Sequence, residues 1–309
     1  MQTTEAIEVQ LGGVPSRRRR EVRIRRFFFA AAATSVIISV AIIGSLAGEA
    51  WTFISNVDLG SLTDIGWYPR RGIFDISTLF AGTLTVAGIA MLVATPLGLG
   101  SAIYLSEYAT PRTRRVLKPT LEMLAGIPSV VLGFFALTFI TPSVLRPIFG
   151  DQVVGFNMLA AGIGVGILTI PLVASVSEDA LRAVPRSLRE ASYGLGATRM
   201  ATSVRVVFPA AVSGVVASLI IAFSRAVGET MVVAIAAGAT GGSLFGWNVF
   251  EPGQTMTAAM AALAIGSDQV RGDDYAFQSL FFLGLLLFFV TLLLNVVSER
   301  FVRRVRQRY

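Results

Sequence analysis

The 309-residue sequence is 54% hydrophobic and 15% charged, with a mean hydropathy of +0.69, and so carries more apolar surface than one soluble core buries. Its net charge of +7 would suit a nucleic-acid ligand, but the basic residues flank apolar runs, where they set topology and meet anionic lipid instead. It holds no Cys and no His, which excludes disulfides, thiolate or imidazole metal sites and any Ser-His or Cys-His nucleophile. The single lysine, Lys118, precedes Pro119, so the G-x-x-x-x-G-K-[ST] phosphate loop is ruled out and any ATP must be bound by another chain.

In chain order, residues 1–26 form a polar tail ending in Arg17–Arg20, Arg23, Arg25 and Arg26. Six apolar runs follow, at 27–48, 78–103, 119–141, 158–177, 210–238 and 277–298. Each is near the roughly 20 residues that cross a bilayer, and backbone polar groups in lipid require helix there. The first run is longer than a signal-peptide core and predicts an uncleaved helix. The expected organisation is a basic tail (1–26), a first helix with an external loop (27–77), a core (78–299) containing a cytoplasmic loop at 178–209, and a second basic tail (300–309).

Orientation follows from the arginines, because Lys and Arg are retained on the cytoplasmic side of short loops. On one side lie 21 basic and nine acidic residues, a balance of +12; on the other lie four basic and nine acidic, a balance of −5. Arg225 and Glu229 fall inside a run. Both termini are then expected in the cytoplasm.

The external loop carries Trp51, Trp67, Tyr68, Pro69 and Phe74, rings that suit an interfacial anchor and also a docking surface for a soluble partner. Small residues in the second run, among them Gly82, Gly88 and Gly98, allow close helix approach. The third run is interrupted at Gly126-Ile127-Pro128-Ser129, which predicts a kink or part of a polar path. Between Glu178 and Pro209 the pattern predicts a helix over Arg186–Tyr193, a stop at Gly194-Leu195-Gly196 and a second helix over Thr198–Val207, together a stiff knob.

The fifth run is expected as one helix from about Ala210 to Gly238, with Arg225 and Glu229 four residues apart on one face near the bilayer midplane and Ser218, Ala222 and Gly228 beside them. A charge there costs about 2.5–3.5 kcal/mol, against about 0.2–0.5 from an i,i+4 pair, so their attraction alone is a weak reason to keep both. Arg offers a planar fork to oxyanions and Glu an acceptor for a protonated one; the alternative is a buried pair that fixes packing. An external connection follows, with Asp268, Asp273 and Asp274 and a short helix at Met256–Ile265.

Glu190-Ala191-Ser192, Gly196, Val206-x-Phe208 and Pro209 match, at full spacing, the E-A-A, G, I-x-L-P signature of ABC-importer permeases, with Ser192 in place of the second alanine. Residues 121–131, Ala183-Val184-Pro185-Arg186-Ser187 and Arg225-Ala226-Val227-Gly228-Glu229-Thr230-Met231 resemble the phosphate branch of that family, and Met231, Met256-Thr257-Ala258 and the stretch 291–295 favour the PstC-type over the PstA-type subunit. The resemblance implies an all-α integral membrane protein with about six transmembrane helices and the type I importer permease fold, in the plasma (inner) membrane. It implies no catalytic role and no cofactor in this chain, ATP and Mg being bound by a partner ATPase. Implied partners are a PstA-type sister permease, a PstB-type ATP-binding dimer and a PstS-type extracytoplasmic phosphate-binding protein. It also implies a coupling role for Glu190, Ala191, Ser192, Gly196 and Pro209. From the charged pair and the broken third run, a substrate path is expected through Arg225, Glu229, Ser129 and Thr230. A sulfate, molybdate or phosphonate permease would share the loop.

Overall fold

The computed structural model describes residues 15–63, 66–238, 248–265 and 275–305; Asp268, Asp273, Asp274 and the chain ends lie outside the described residues. Among the described residues, six helices are long and apolar enough to cross a membrane: Arg20–Asn56, Ile76–Tyr108, Ser129–Gln152, Met158–Ala183, Arg199–Val227 and Ala276–Arg300. Each falls on one of the six apolar runs.

Helix α1 spans Pro15–Asn56, and a two-stranded ribbon follows, with β1 (Trp67–Tyr68) antiparallel to β2 (Ile73–Phe74). Helix α2 (Ile76–Ile103) ends in a π turn at Tyr104–Tyr108. Helix α3 (Pro111–Leu124) precedes α4 (Ser129–Phe135), which continues as a π-helical stretch through Leu145 into α5 (Arg146–Phe149). Pro142 has no N–H to give, and the Arg146 N–H reaches five residues back to the Thr141 carbonyl. After α6 (Met158–Ala183) come α7 (Arg186–Gly194), α8 (Arg199–Thr202), α9 (Phe208–Val227), α10 (Met231–Ala236), α11 (Met256–Ile265) and α12 (Ala276–Val305).

The contacts divide the chain into two compact units, 1–49 and 50–309. The described part of the first is the amino-terminal part of α1, whose described side chains are almost all exposed. In the second, α2 and α6 pack closely because glycines face the partner helix: a Cβ on Gly162 would lie 2.6 Å from Cβ of Ile89, and one on Gly166 2.8 Å from Cβ of Val93. Around this pair Val86, Leu132, Val165, Val227 and Val232 join α2, α4, α6, α9 and α10 into the main apolar core.

The third span differs from the expected run at 119–141. Pro128 withholds an N–H and disfavours helical Ile127, so α3 stops at Leu124 and the span begins at Ser129. The external-loop rings also differ from expectation. Trp67 and Phe74 are sealed into a second cluster with Phe53, Leu79, Met256, Leu263 and Leu283, while Trp51 stays exposed as an anchor would. Asp75 caps α2: its carboxylate accepts from the N–H groups of Ser77, Thr78 and Gly66 and from the hydroxyls of Ser77 and Thr78.

Candidate coupling segment and membrane site

The coupling segment begins where Pro185 starts α7, a helix that ends as its glycines dictate. Ala197 N–H bonds to the Ser192 carbonyl at 3.1 Å and Gly196 N–H to the Tyr193 carbonyl at 2.9 Å, a Schellman closure with Gly196 at φ +81°. A Cβ at Gly196 meets nothing within 4 Å, so glycine is needed there for its torsion and not for space. Glu190 and Ala191 are exposed, beside Tyr193, Met200 and Leu195, the last 90% exposed. Ser192 turns inward, its hydroxyl 2.8 Å from that of buried Thr202, so the serine that replaces the signature alanine ties α7 to α8. Pro209 sits exposed in the first turn of α9.

The second short helix expected at Thr198–Val207 does not stand apart. Thr198 caps α8, and a π turn at Ser203–Val207 runs directly into α9, so the knob is a continuation of a membrane span. Two buried carboxylates that sequence reasoning treated only as topological charge mount this end. Glu107, in the π turn ending α2, receives Arg189 of α7 at 2.9 and 3.3 Å. Glu178 of α6, fully buried, receives Arg114 at 2.5 Å and Lys118 at 2.8 Å, both from α3. A cleft lined by Arg114, Arg115, Lys118, Glu122 and Arg182 opens beside them. The available signals were an acid at each helix end and the only lysine, but neither names its partner.

The membrane site differs from the continuous helix expected over 210–238. Helix α9 ends at Val227, Gly228-Glu229-Thr230 interrupt it, and α10 begins at Met231. The freed Glu229 carbonyl is satisfied by the Thr257 hydroxyl of α11 at 2.8 Å, which makes the break affordable in an apolar setting. Ser218 and Ala222 do not share an open face with the pair. Ser218 is buried with its hydroxyl 2.6 Å from that of Ser177, and Ala222 is buried in the core. Glu229 is 7% and Arg225 52% exposed by side chain, and their closest approach is 4.0 Å. That separation is too long for a hydrogen bond, so the pair leaves the guanidinium donors available to a ligand.

Thr230 is half-buried at the break, and Ser129 half-buried at the first residue of α4. Helices α4 and α10 pack tightly, a Cβ on Gly133 falling 3.0 Å from Cβ of Ile235. The fold thus brings together the elements that carry Ser129 and Thr230. Among the described residues no hydrogen bond joins Ser129 to Arg225 or Glu229.

Over residues 94–309 the sequence matches the family described as binding-protein-dependent transport system inner membrane component. The chain belongs to this family. Among similar relatives, the phosphate transport system permease protein PstC of Mesorhizobium japonicum is 31% identical, with 94% of this chain and 95% of that one covered. PstC 1 of Mycobacterium tuberculosis is 33% identical over 79% of this chain and 77% of its own. The solved structure of a bacterial alginate ABC transporter, in complex with a pentasaccharide-bound periplasmic protein, contains a chain that aligns with a TM-score of 0.64 at 16% identity, covering 93% of this chain and 98% of that one. An inward-facing MetNI methionine ABC transporter contains one that aligns at 0.52 with 21% identity over 74% and 92%. This inner membrane component therefore has the ABC-importer permease fold and is a multi-pass transport subunit, ATP hydrolysis belonging to a separate subunit.

Proposed function

We propose that the chain is the PstC-type permease of an ATP-driven phosphate importer. It would work with a PstA-type sister, a PstB-type ATPase dimer that holds ATP and Mg, and a PstS-type phosphate-binding protein. The observation that carries the cargo is similarity over nearly the whole chain to permeases named for phosphate transport. The geometry agrees with it: Arg225 offers free fork donors to phosphate oxygens, and Glu229 beside it accepts from a protonated phosphate, a donor that sulfate lacks near neutral pH. Ser129 and Thr230 border the same path, while Glu190, Ala191, Gly196 and Pro209 belong to the surface that meets the ATPase, and inward-facing Ser192 ties that segment together from behind. In this reading both termini are cytoplasmic, which the basic loops favour, and the acidic face lies outside, where a binding protein delivers an anion that the field would not attract.

Uptake of labelled phosphate by vesicles containing the assembled complex tests the proposal. ATP-dependent uptake that arsenate competes and sulfate does not is expected; equal competition by sulfate overturns the cargo. Arg225→Gln should abolish uptake while assembly and binding-protein docking persist, and Glu229→Gln should lower uptake or relax discrimination against sulfate.

A further inference from the structure

We infer that Arg189 and Glu107 are positioning residues that make the coupling knob and the paired helices α2 and α6 a single lever. The inference rests on the transport reading above, but not on the identity of the cargo. Arg189 lies next to Glu190 on α7, yet it points inward and is 17% exposed, its carboxylate partner 4%. All three of its guanidinium nitrogens are engaged. Nε and Nη2 donate to Glu107 at 3.3 and 2.9 Å, Nη2 also to the Leu181 carbonyl at 2.9 Å, and Nη1 to the Val184 carbonyl at 2.7 Å.

Those acceptors decide what the contact does. Leu181 and Val184 stand at the carboxyl end of α6, where the Leu181 carbonyl has only a long 3.4 Å bond from the Val184 N–H and the helix dipole favours a cation. Only Val184 and Pro185 separate α6 from α7, and an elbow of that length would hinge if its carbonyls were free. Arg189 closes the elbow and then reaches across to α2, 82 residues away in sequence. A push on the exposed face of α7 is thereby delivered to two helices that are themselves locked by the Gly162 and Gly166 contacts. Without the clamp, α7 would turn about Pro185 and the push would be spent in the elbow.

Lys cannot reproduce this geometry, because a point charge cannot reach two carbonyls and both carboxylate oxygens together. Exchanging the two residues is no rescue either, since a carboxylate at 189 would face two carbonyl oxygens. The test uses the assembled transporter with its ATPase and its binding protein in vesicles, and reads ATP hydrolysed and phosphate taken up in the same sample. Arg189→Lys and Glu107→Ala should leave assembly and basal ATP hydrolysis near wild type while uptake per ATP falls about tenfold, the size of an ordinary coupling free energy. Stimulation of hydrolysis by the loaded binding protein should fall in parallel. Glu107→Gln, which keeps acceptor geometry without charge, should fall in between. An unchanged ratio in both variants overturns the inference, and so does a loss of uptake matched by an equal loss of assembled complex, which would make the clamp structural only. Failure of the wild-type complex to take up phosphate would instead sink the cargo assignment.

Discussion

At the end of the core that carries the coupling segment, Glu107 and Glu178 hold Arg189, Arg114 and Lys118. At the other end of the same α2 helix, Phe53, Trp67, Phe74, Met256 and Leu283 close over one another, and Asp75 is satisfied by neutral donors. The difference lies in how each kind of tie tolerates movement. Close-packed rings lose contact within a fraction of an ångström, and Arg189 is fixed by four hydrogen bonds, whereas the partly exposed Arg114 and Lys118 chains can lengthen and re-form their ion pairs through water. Charge ties the end that carries the signature loop, and dry packing holds the helices in register at the other.

The largest expected effect removes the charged mount. Glu178→Ala leaves Arg114 facing a buried site with no counter-charge and Lys118 with Asp179 alone, and breaking one side of such a pair costs about 3 kcal/mol. Helix α3 buries none of its own side chains, so it should come loose, with faster tryptic cleavage at Arg114 and Arg115 and a lower unfolding temperature in detergent. High salt should soften wild-type α3 in the same direction. A Glu178→Ala protein as protease-resistant as wild type would show that α3 is held by something other than charge.

At the packed end the matching variant is Asp75→Ala. It removes the α2 cap and the acceptor for Gly66, for an expected loss of about 2 kcal/mol that added salt leaves unchanged. The two ends should also fail at opposite extremes of pH. Burial alone would raise the Asp75 carboxyl, but hydrogen bonds from Ser77, Thr78 and Gly66 outweigh it and hold the pKa below the ordinary 3.8. Its contribution is present above pH 3.8 and is lost as pH falls through the lower folded value. Burial alone would lower Lys118, but its bonds to Glu178 and Asp179 and their charge hold it above 10.5. Its contribution is full below pH 10.5 and is lost as pH rises through the folded value. Unfolding curves of Asp75→Asn and Lys118→Met across pH should each flatten at its own extreme; loss at the same extreme for both would erase the contrast.

What the sequence made legible follows the range of the forces involved. The six spans were readable because a bilayer demands a long apolar run, and the end of α7 because a left-handed glycine after a helix is a local rule. The Arg189–Glu107 pair was not, since nothing local links residues 82 positions apart. The break at Gly228-Glu229-Thr230 was hidden for a similar reason: the apolar pattern runs through it, and the group that satisfies its carbonyl, Thr257, arrives from a distant helix. Trp67 and Phe74 were ambiguous because an amphipathic ring suits an interface and a core equally until Met256 and Leu283 are in place.

Within the coupling knob the expected effects are smaller. Gly196→Val forces a β-branched side chain to φ +81°, costing about 1–2 kcal/mol through torsion alone, since no atom stands in the way of its Cβ. Membrane insertion and pairing should survive while ATP-driven uptake is lost, and Gly196→Asn, which visits this region readily, should keep most uptake. Normal uptake by the valine variant would mean that the elbow need not hold its shape.

The smallest effect is the most discriminating, because it concerns the serine that departs from the family signature. Ser192 and Thr202 share one hydrogen bond between α7 and α8, and Thr202 is fully buried. Ser192→Ala removes one partner and leaves the other hydroxyl without it, an expected loss of about 1 kcal/mol. Replacing both, Ser192→Ala with Thr202→Val, removes the stranded group as well and should cost less than the sum of the single changes. Such a double-mutant cycle, read by unfolding in detergent, isolates the tie from the packing around it. Additive losses would mean that the hydroxyls are neighbours without being partners. The knob would then owe its stiffness to the Gly196 closure and the Arg189 clamp, and the alanine of the family signature would serve here as well as serine.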